Sequence, residues 1–344
     1  MTITCAVIGL GMGRGHAKAF HEHPDAKLVA VSDLDGKRCA DAVKEWGCRS
    51  YADVGEMLKT EKPDVVSIAT PNAFHAPLTI QALQAGCHVL CEKPMAMNAD
   101  EARQMLAVAE TTKRRLMINF SYRFSPATYF LKQQVDAGVL GTVYAGRTVW
   151  HRRRGLPGFG GWFGQKKLAG GGPLIDLGVH RLDLALWLMG HPRPQWVLAN
   201  TFDPIASRLA KEQGKAYDVE DSAFAMIRFE GGAMLNVEAS WAINQANREF
   251  METRLYGTKA GLIQHNVGEG YDFTSAIHLE QGGVQYDLTP HPPIPAAKSA
   301  YHHFIEAIRD GTPHQATGEE GLIVMELLDA IYASAARGEP VRIG

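Results

Sequence analysis

Residues 6–16 read Ala6-Val7-Ile8-Gly9-Leu10-Gly11-Met12-Gly13-Arg14-Gly15-His16, a short apolar run that passes directly into a glycine-rich turn and then a helical pattern. Strand, glycine turn and helix start in that order make an anion cradle. Glycines let the backbone approach a pyrophosphate, and the helix N-terminus offers free N–H groups and partial positive charge. Measured from Gly9, the third glycine of a G-x-G-x-x-G turn falls at Arg14, between Gly13 and Gly15. The turn is therefore either one residue shorter than usual or merely a tight strand–helix connection. The next apolar run, KLVAVSD, ends at Ser32-Asp33, about twenty residues on, where an acid can bind both adenosine ribose hydroxyls. Together these features outweigh the glycines alone and favour a dinucleotide cofactor, with Gly9, Gly11, Met12, Gly13, Arg14 and Asp33 as its candidate ligands. An acid at 33 repels a 2′-phosphate, so NAD is expected over NADP, a preference that nearby Lys37 and Arg38 weaken.

The pattern continues outward from this turn. AVIGL, KLVAVSD, DVVSIAT, HVLCE and LMINF are five or more candidate strands, separated by amphipathic stretches such as 35–46 and 74–85. Such alternation predicts a parallel sheet covered on both faces. After Arg123 a helix near 125–136 leads into longer strand-like runs, TVYAGRTVW, SAFAMIRF, AMLNVEASW and METRLYG, spaced for a largely antiparallel sheet. Two helices, 297–309 and 318–336, close the chain. The expected domains are 1–122 and 123–344, an α/β unit followed by an α+β unit.

Composition narrows the partners. With 344 residues the chain is long for one core and suits two. A net charge of −2 gives no bulk attraction to nucleic acid or anionic membrane, which leaves a small molecule as the expected partner. No apolar run reaches the ~18 residues of a membrane helix, and the opening residues lack an export-type segment, so a cytoplasmic location is expected. The five cysteines (Cys5, Cys39, Cys48, Cys87, Cys91) show neither C-x-x-C nor zinc spacing and read as buried small hydrophobes.

Two segments carry candidate chemistry. Glu92-Lys93-Pro94 follows HVLC at a strand's carboxyl end, where ligands bind in open α/β sheets. A lysine there can hydrogen-bond a reacting oxygen and stabilise developing alkoxide; the plain alternative is a solvated surface lysine. In GGGPLIDLGVHRLD (170–183) the glycines and Pro173 mark a helix start, and Gly190 and Pro192 its end. Asp176, His180 and Asp183 then fall on one face. His180 suits proton transfer near neutrality, with Asp176 to orient it. The competing readings are a capped interface helix and a metal site, the latter disfavoured without a third soft ligand. Gly178 inside the helix implies a close backbone neighbour. His302 and His303 read as ordinary helix surface.

At these residues the chain resembles the glucose-fructose oxidoreductase, inositol dehydrogenase and rhizopine catabolism family, Gfo/Idh/MocA. The likeness runs through VIGLGMGRGHAKAF, ATPNAFHAPLTIQALQAGCHVLCEKPMAMN, NFSYRFSP, GGGPLIDLGVHRLDLALWLMG and LLDAIYASAARGEPVRI. It implies a Rossmann domain followed by an α/β domain whose large, mostly antiparallel open sheet mediates homodimers or homotetramers. It also implies Lys93, Asp176 and His180 as catalytic residues. Thr70, Pro71, Asn72, His75, Glu92 and Lys93 are then expected on the cofactor side. Tyr122 and Arg123 would face the nicotinamide or brace a hinge. Within WHRRRGLPGFGGWF (150–163), Arg152 and Trp162 are candidate sugar contacts, although the arginines could equally be solvated or touch a neighbouring subunit. The expected activity is hydride transfer between NAD and a sugar-like or inositol-like hydroxyl carbon. The alternatives are a redox-neutral NAD-dependent glycoside cleavage and a non-catalytic NAD sensor.

Overall fold

The computed structural model describes residues 2–291 and 298–343. They form two compact units, Met1–Phe120 with Lys298–Met325 and Ser121–Ala297 with Glu326–Gly344. In place of a single crossing at residue 122, the segment 298–325 groups with the first unit. Its helix Ala300–Asp310 packs on the helix Gly13–Glu22, the Tyr301 ring lying 4.6 Å from His16 and 6.2 Å from Phe20, and Thr317 bridges Met117. Ala297, where the sequence placed that helix start, lies outside the described residues.

The first unit holds a six-stranded parallel sheet of β1 (Ile3–Ile8), β2 (Ala26–Ser32), β3 (Arg49–Tyr51), β4 (Val65–Ile68), β5 (His88–Cys91) and β6 (Leu116–Ile118). The spatial order is β3-β2-β1-β4-β5-β6. The order reverses between β1 and β4, and in such sheets the ligand crevice opens at the strands' carboxyl ends there. β4 is buried throughout and β1 nearly so, as a sheet covered on both faces requires. All five cysteines are free and buried, and burial pushes the Cys87 thiol up to about 11 and the Cys91 thiol up to about 12.

The second unit is built on nine strands: β7 (Val143–Arg152), β8 (Pro194–Phe202), β9 (Ser222–Phe229), β10 (Met234–Ser240), β11 (Glu249–Gly257), β12 (Ala260–Asn266), β13 (Phe273–Gln281), β14 (Val284–Leu288) and β15 (Val341–Arg342). Their order is β14-β13-β12-β11-β7-β10-β9-β8-β15, and every pairing is antiparallel except β7 with β10. The helices Pro126–Asp136 and Val179–Met189 pack against it. Alternation then sends Trp196, Leu198, Phe202, Phe224, Met226, Tyr256 and Ile263 to the opposite face, where they stay partly or fully exposed. Among the described residues no helix is long and apolar enough to cross a membrane.

His302 and His303 are not simple surface residues. His302 is tilted against the buried His23, 4.7 Å between ring centres, and His303 Nε2 accepts the Gln315 N–H at 2.9 Å. Likewise His23 Nδ1 accepts from Asp25 N at 3.0 Å and His88 Nδ1 from Arg115 N at 2.9 Å. Each such nitrogen must be unprotonated to accept. Burial holds His23, His303 and His88 below the usual histidine value, His88 at about 4 with help from Arg114 and Arg115. A depressed histidine contributes stability that is whole above the unfolded value of 6.5 and is lost as pH falls toward about 4. The melting temperature is therefore expected to hold from pH 8 to 7 and to drop steadily from 6.5 to 4, less steeply in His88→Gln. A flat profile in calorimetry across that window would contradict the neutral, accepting histidines.

Candidate active site

In the first unit the glycine turn makes two close approaches. Gly9 has φ +89°, and a Cβ there would lie 2.6 Å from the Ala69 carbonyl oxygen. Gly13 is the first residue of the helix, and its Cβ would stand 3.0 Å from Val7 Cγ1 and 3.1 Å from Ala69 Cβ. Gly13 therefore serves as the close-packing third glycine, and the turn is one residue short. Arg14 is exposed and turns away to pair with Glu45 and to lie 5.1 Å from the Trp46 ring. Only its backbone remains at the helix start. Gly11 is open on its Cα face apart from Arg38 Nη1 at 3.6 Å, and Met12 beside it is 76% exposed. At the end of β2, Asp33 accepts from Leu10 N through Oδ2 and from Asp35 N through Oδ1, with Arg38 at 3.7 Å. A cradle without side chains, an exposed helix start and a fixed carboxylate fit a dinucleotide. Gly9, Gly11 and Gly13 would admit the pyrophosphate, and Asp33 would take the ribose hydroxyls.

Along the same sheet edge, His75 is buried with Nδ1 2.7 Å from Pro94 O and Nε2 2.9 Å from Thr70 O. It thus ties the loop after β4, with Thr70, Pro71 and the buried Asn72, to the loop after β5. Burial keeps its imidazole below the ordinary value against both carbonyls. Glu92 is the centre of a second network. Its Oε1 meets His16 Nε2 at 3.0 Å and Asn119 Nδ2 at 2.6 Å, and its Oε2 accepts from Lys93 N at 3.1 Å. Burial would raise this carboxyl, but hydrogen bonding and charge from His16, with Lys93 and Asn119, hold it down at about 2. The half-buried Lys93 precedes Pro94 across a cis peptide bond. Sequence reasoning missed His16 and Asn119. His16 was legible as a polar ring beside Ala17 and Phe20 on the helix's buried side; Asn119 carried no local signal.

In the second unit the glycine run is pressed against Glu220 and Tyr332. A Cβ on Gly171 would fall on the Tyr332 hydroxyl, and one on Gly172 on the Glu220 carbonyl oxygen, both well inside van der Waals contact. The Glu220 carboxylate accepts from Gly172 N at 2.8 Å, Leu174 N at 3.2 Å and Tyr332 OH at 2.9 Å, closing a helix start that lacks a local cap. Residues Leu174–Gly178 make a wide π turn before the α-helix Val179–Met189. Gly178 lets that turn lie on β10, where an added Cβ would stand 3.2 Å from Ala239 Cβ. Leu174, Ile175, Leu177 and Val179 are buried, while Asp176 and His180 stay half-buried.

Asp176 Oδ2 accepts the Trp241 indole N–H at 3.1 Å. The His180 ring is walled by Tyr122, edge-on at 4.9 Å, and by Trp150 at 5.7 Å. Arg152 lies 5.4 Å from the Trp150 ring and is gripped by Glu249 and the Tyr271 hydroxyl. Trp162 is stacked on Phe163 at 3.8 Å, and Phe163 packs on the Trp150, Leu177, Trp241 and Met251 core. Of the two readings given for Arg123 the bracing one holds, and one expectation changes. Arg123 is fully buried and forks onto Asp183, Nε to Oδ2 at 2.9 Å, so it braces the unit instead of facing a ligand. Asp183 accordingly does not share the exposed face of Asp176 and His180, because that pairing turns it inward. Among the described residues no group of three or more His, Cys, Asp or Glu side chains is placed to hold a metal.

A dinucleotide cradle on one sheet edge and a histidine–aspartate pair on an antiparallel-sheet unit define a two-unit nicotinamide oxidoreductase. Residues 3–120 match the family model described as "Oxidoreductase family, NAD-binding Rossmann fold", and residues 132–343 match its "C-terminal alpha/beta domain". The chain belongs to the Gfo/Idh/MocA oxidoreductase family. It is 35% identical over 348 residues to the D-glucoside 3-dehydrogenase of Escherichia coli (strain K12), spanning 98% of this chain and 97% of that protein. It is 27% identical to the scyllo-inositol 2-dehydrogenase (NAD(+)) of Bacillus subtilis (strain 168), over 99% of this chain and 96% of that one. A solved structure of levoglucosan dehydrogenase in complex with NADH superposes with a TM-score of 0.87 at 25% identity, covering 100% of both chains.

The Glu220 contacts generate a direct test. Glu220→Ala leaves two helix N–H groups and a buried phenol without their acceptor and is expected to lower stability by about 2–3 kcal/mol. Glu220→Gln, which keeps an acceptor, should lose less than half of that. Urea melts in which both variants match the parent would show that the carboxylate does not hold the helix start.

Proposed function

We propose that this protein transfers a hydride between NAD(H) and a hydroxyl-bearing carbon of a sugar, an inositol or a sugar derivative. The observation that carries this reading is the half-buried His180–Asp176 pair set among aromatic rings. The half-buried Tyr122 ring, backed by the buried Trp150, offers an apolar surface to the C–H face of a pyranose or cyclitol, and His180 is the group suited to exchange the hydroxyl proton. The glucoside, inositol and levoglucosan dehydrogenases among its relatives support that substrate class.

In the oxidation direction His180 accepts the hydroxyl proton at a ring nitrogen. Lys93 is assigned, by its place in the Glu92-Lys93-Pro94 segment, the stabilisation of the negative charge that develops as the proton leaves. Asp176, fixed by Trp241, orients substrate and imidazole. Bound NAD supplies the hydride acceptor. Arg152 and Trp162 are proposed substrate contacts, and Arg123 is withdrawn from that set. The Asp33 carboxylate favours NAD over NADP, since a 2′-phosphate would meet it directly; Arg38 at 3.7 Å softens the discrimination.

The reading is tested by NADH fluorescence with polyols, free sugars, sugar acids and glycosides. One class should give a signal, reduced by at least about a hundredfold in Lys93→Ala and His180→Ala, with NAD affinity changed little. Asp33→Ala should weaken NAD binding and narrow the gap to NADP. Consumption of a glycoside with no NADH formed would replace the dehydrogenase by a redox-neutral cycle.

The helix-free sheet face supports a homo-oligomer. Trp196, Leu198, Phe202, Tyr256 and Ile263 share it with the Arg147–Glu238 and Arg254–Glu252 pairs, a mixture of apolar and paired charged groups that a second copy can match. Light scattering is expected to give a dimer or tetramer, shifted toward monomer by Leu198→Asp with Phe202→Asp. A monomeric parent protein would end this assignment.

A further inference from the structure

Next to His180 in sequence, Arg181 is fully buried. Nη1 donates to Gln264 Oε1 at 2.8 Å, while Nε and Nη2 have no hydrogen-bond partner among the described residues. Instead of a carboxylate, three rings surround the guanidinium: its Cζ lies 4.9 Å from the Phe273 centroid, 5.0 Å from Tyr122 and 5.7 Å from Trp150. An interior cation held only by π faces and an amide is costly, and neutral side chains would fill the volume more cheaply. Burial pushes its pKa down to about 10, which still leaves it charged at neutral pH. Two of its three rings, Tyr122 and Trp150, are the walls of the His180 imidazole.

We propose that Arg181 is a positioning residue for His180, pinning the Tyr122 and Trp150 rings that wall the imidazole and supplying the positive charge that keeps it unprotonated in the resting enzyme. The proposal rests on His180 being the proton acceptor. The groups around the ring leave this task to Arg181. Asp176, on the same helix, favours the imidazolium. Arg152, from β7, is matched by Glu249 of β11 and bonded to the Tyr271 hydroxyl. Tyr122 is neutral, its phenol pushed up by burial. Among the charged groups of the second unit, Arg181 is then the cation without a carboxylate partner that opposes Asp176; Lys93, the proposed oxyanion partner from the first unit, is unchanged in every variant compared below. The Tyr122 centroid is 4.9 Å from the imidazole centre and 5.0 Å from Arg181 Cζ, so the two charges lie within about 10 Å. At an effective dielectric of about 20 that separation moves a histidine by about one pH unit.

The test is an NMR titration of His180 in the full-length protein, assigned with His180→Gln, alongside the pH dependence of kcat/KM for substrate oxidation. Arg181→Met removes the charge. Gln264→Glu neutralises it where it stands, with the guanidinium and the fold retained, and serves if the first variant fails to fold. Both are expected to raise the His180 midpoint and the acidic limb of kcat/KM by about one unit, while Arg181→Lys restores most of the parent profile. A midpoint unmoved in a folded Arg181→Met or Gln264→Glu protein overturns the proposal. A midpoint that rises while the acidic limb stays put upholds the hold of Arg181 on the imidazole and instead overturns His180 as proton acceptor.

Discussion

The approach of Gly172 to Glu220 fixes where the reactive helix of the second unit begins. With no Cβ in the way, the backbone N–H groups of residues 172 and 174 reach one buried carboxylate, which replaces the side-chain cap that Gly-Gly-Gly-Pro cannot provide. A helix anchored at its first turn has a set rotation, and the π turn that follows sets it again. Apolar residues 174, 175, 177 and 179 face inward, and 176 and 180 are left half-buried. The first unit uses the same device. Gly9 lies against the Ala69 carbonyl and Gly13 against Val7 and Ala69, and the helix that follows aims its free N–H groups over the sheet edge. In each unit the absent side chain is what brings a helix start into place.

Features written in short-range periodicity were legible in the sequence. Strands β1, β2, β4, β5 and β6 are near-continuous apolar runs between glycine or acidic stops, and β9 and β10 alternate cleanly. β8 and β12 alternate too but were not named from the sequence, whereas β3 and β14 lack the signature. β3 is three residues with Arg49 and Ser50 exposed, and β14 is exposed at every position, so neither has a buried face to write a pattern. The short glycine turn was readable because the helix had to start beside a glycine, and Gly13 is the residue that touches Val7.

The polar partnerships were not legible, because they close over long chain separations. Arg123 could be read from the sequence as a nicotinamide contact or as a brace, and only Asp183, 60 residues on, decides for the brace. Glu220 sits 48 residues from Gly172, and Tyr332 is 112 residues from Glu220. Asn119, just past β6, reaches Glu92 at the end of the neighbouring β5 across one helical crossing, 27 residues away. A local pattern can announce that a charge sits among leucines. It cannot say which distant side chain meets it, and that partner decides between brace and ligand contact.

Around the helix 174–189 the charges divide by what they must do. Arg123 with Asp183 is buried and paired, and the half-buried Glu220 holds two N–H groups and a phenol; in a medium of low dielectric such groups are stiff because loosening them exposes uncompensated charge. Asp176 and His180 are left half-buried, as groups that exchange protons or bind hydroxyls have to be. On the proposed reading this helix offers two side chains, Asp176 and His180, to the chemistry, while Asp183 and the Glu220 contacts hold it in place. The surroundings of His180 come from outside the helix, from Tyr122, from Trp150 and Arg152 on β7, and from Tyr271 ahead of β13. A scaffold arranged in this way can change the sugar it recognises by changing strand and loop residues while the proton-handling helix keeps its place.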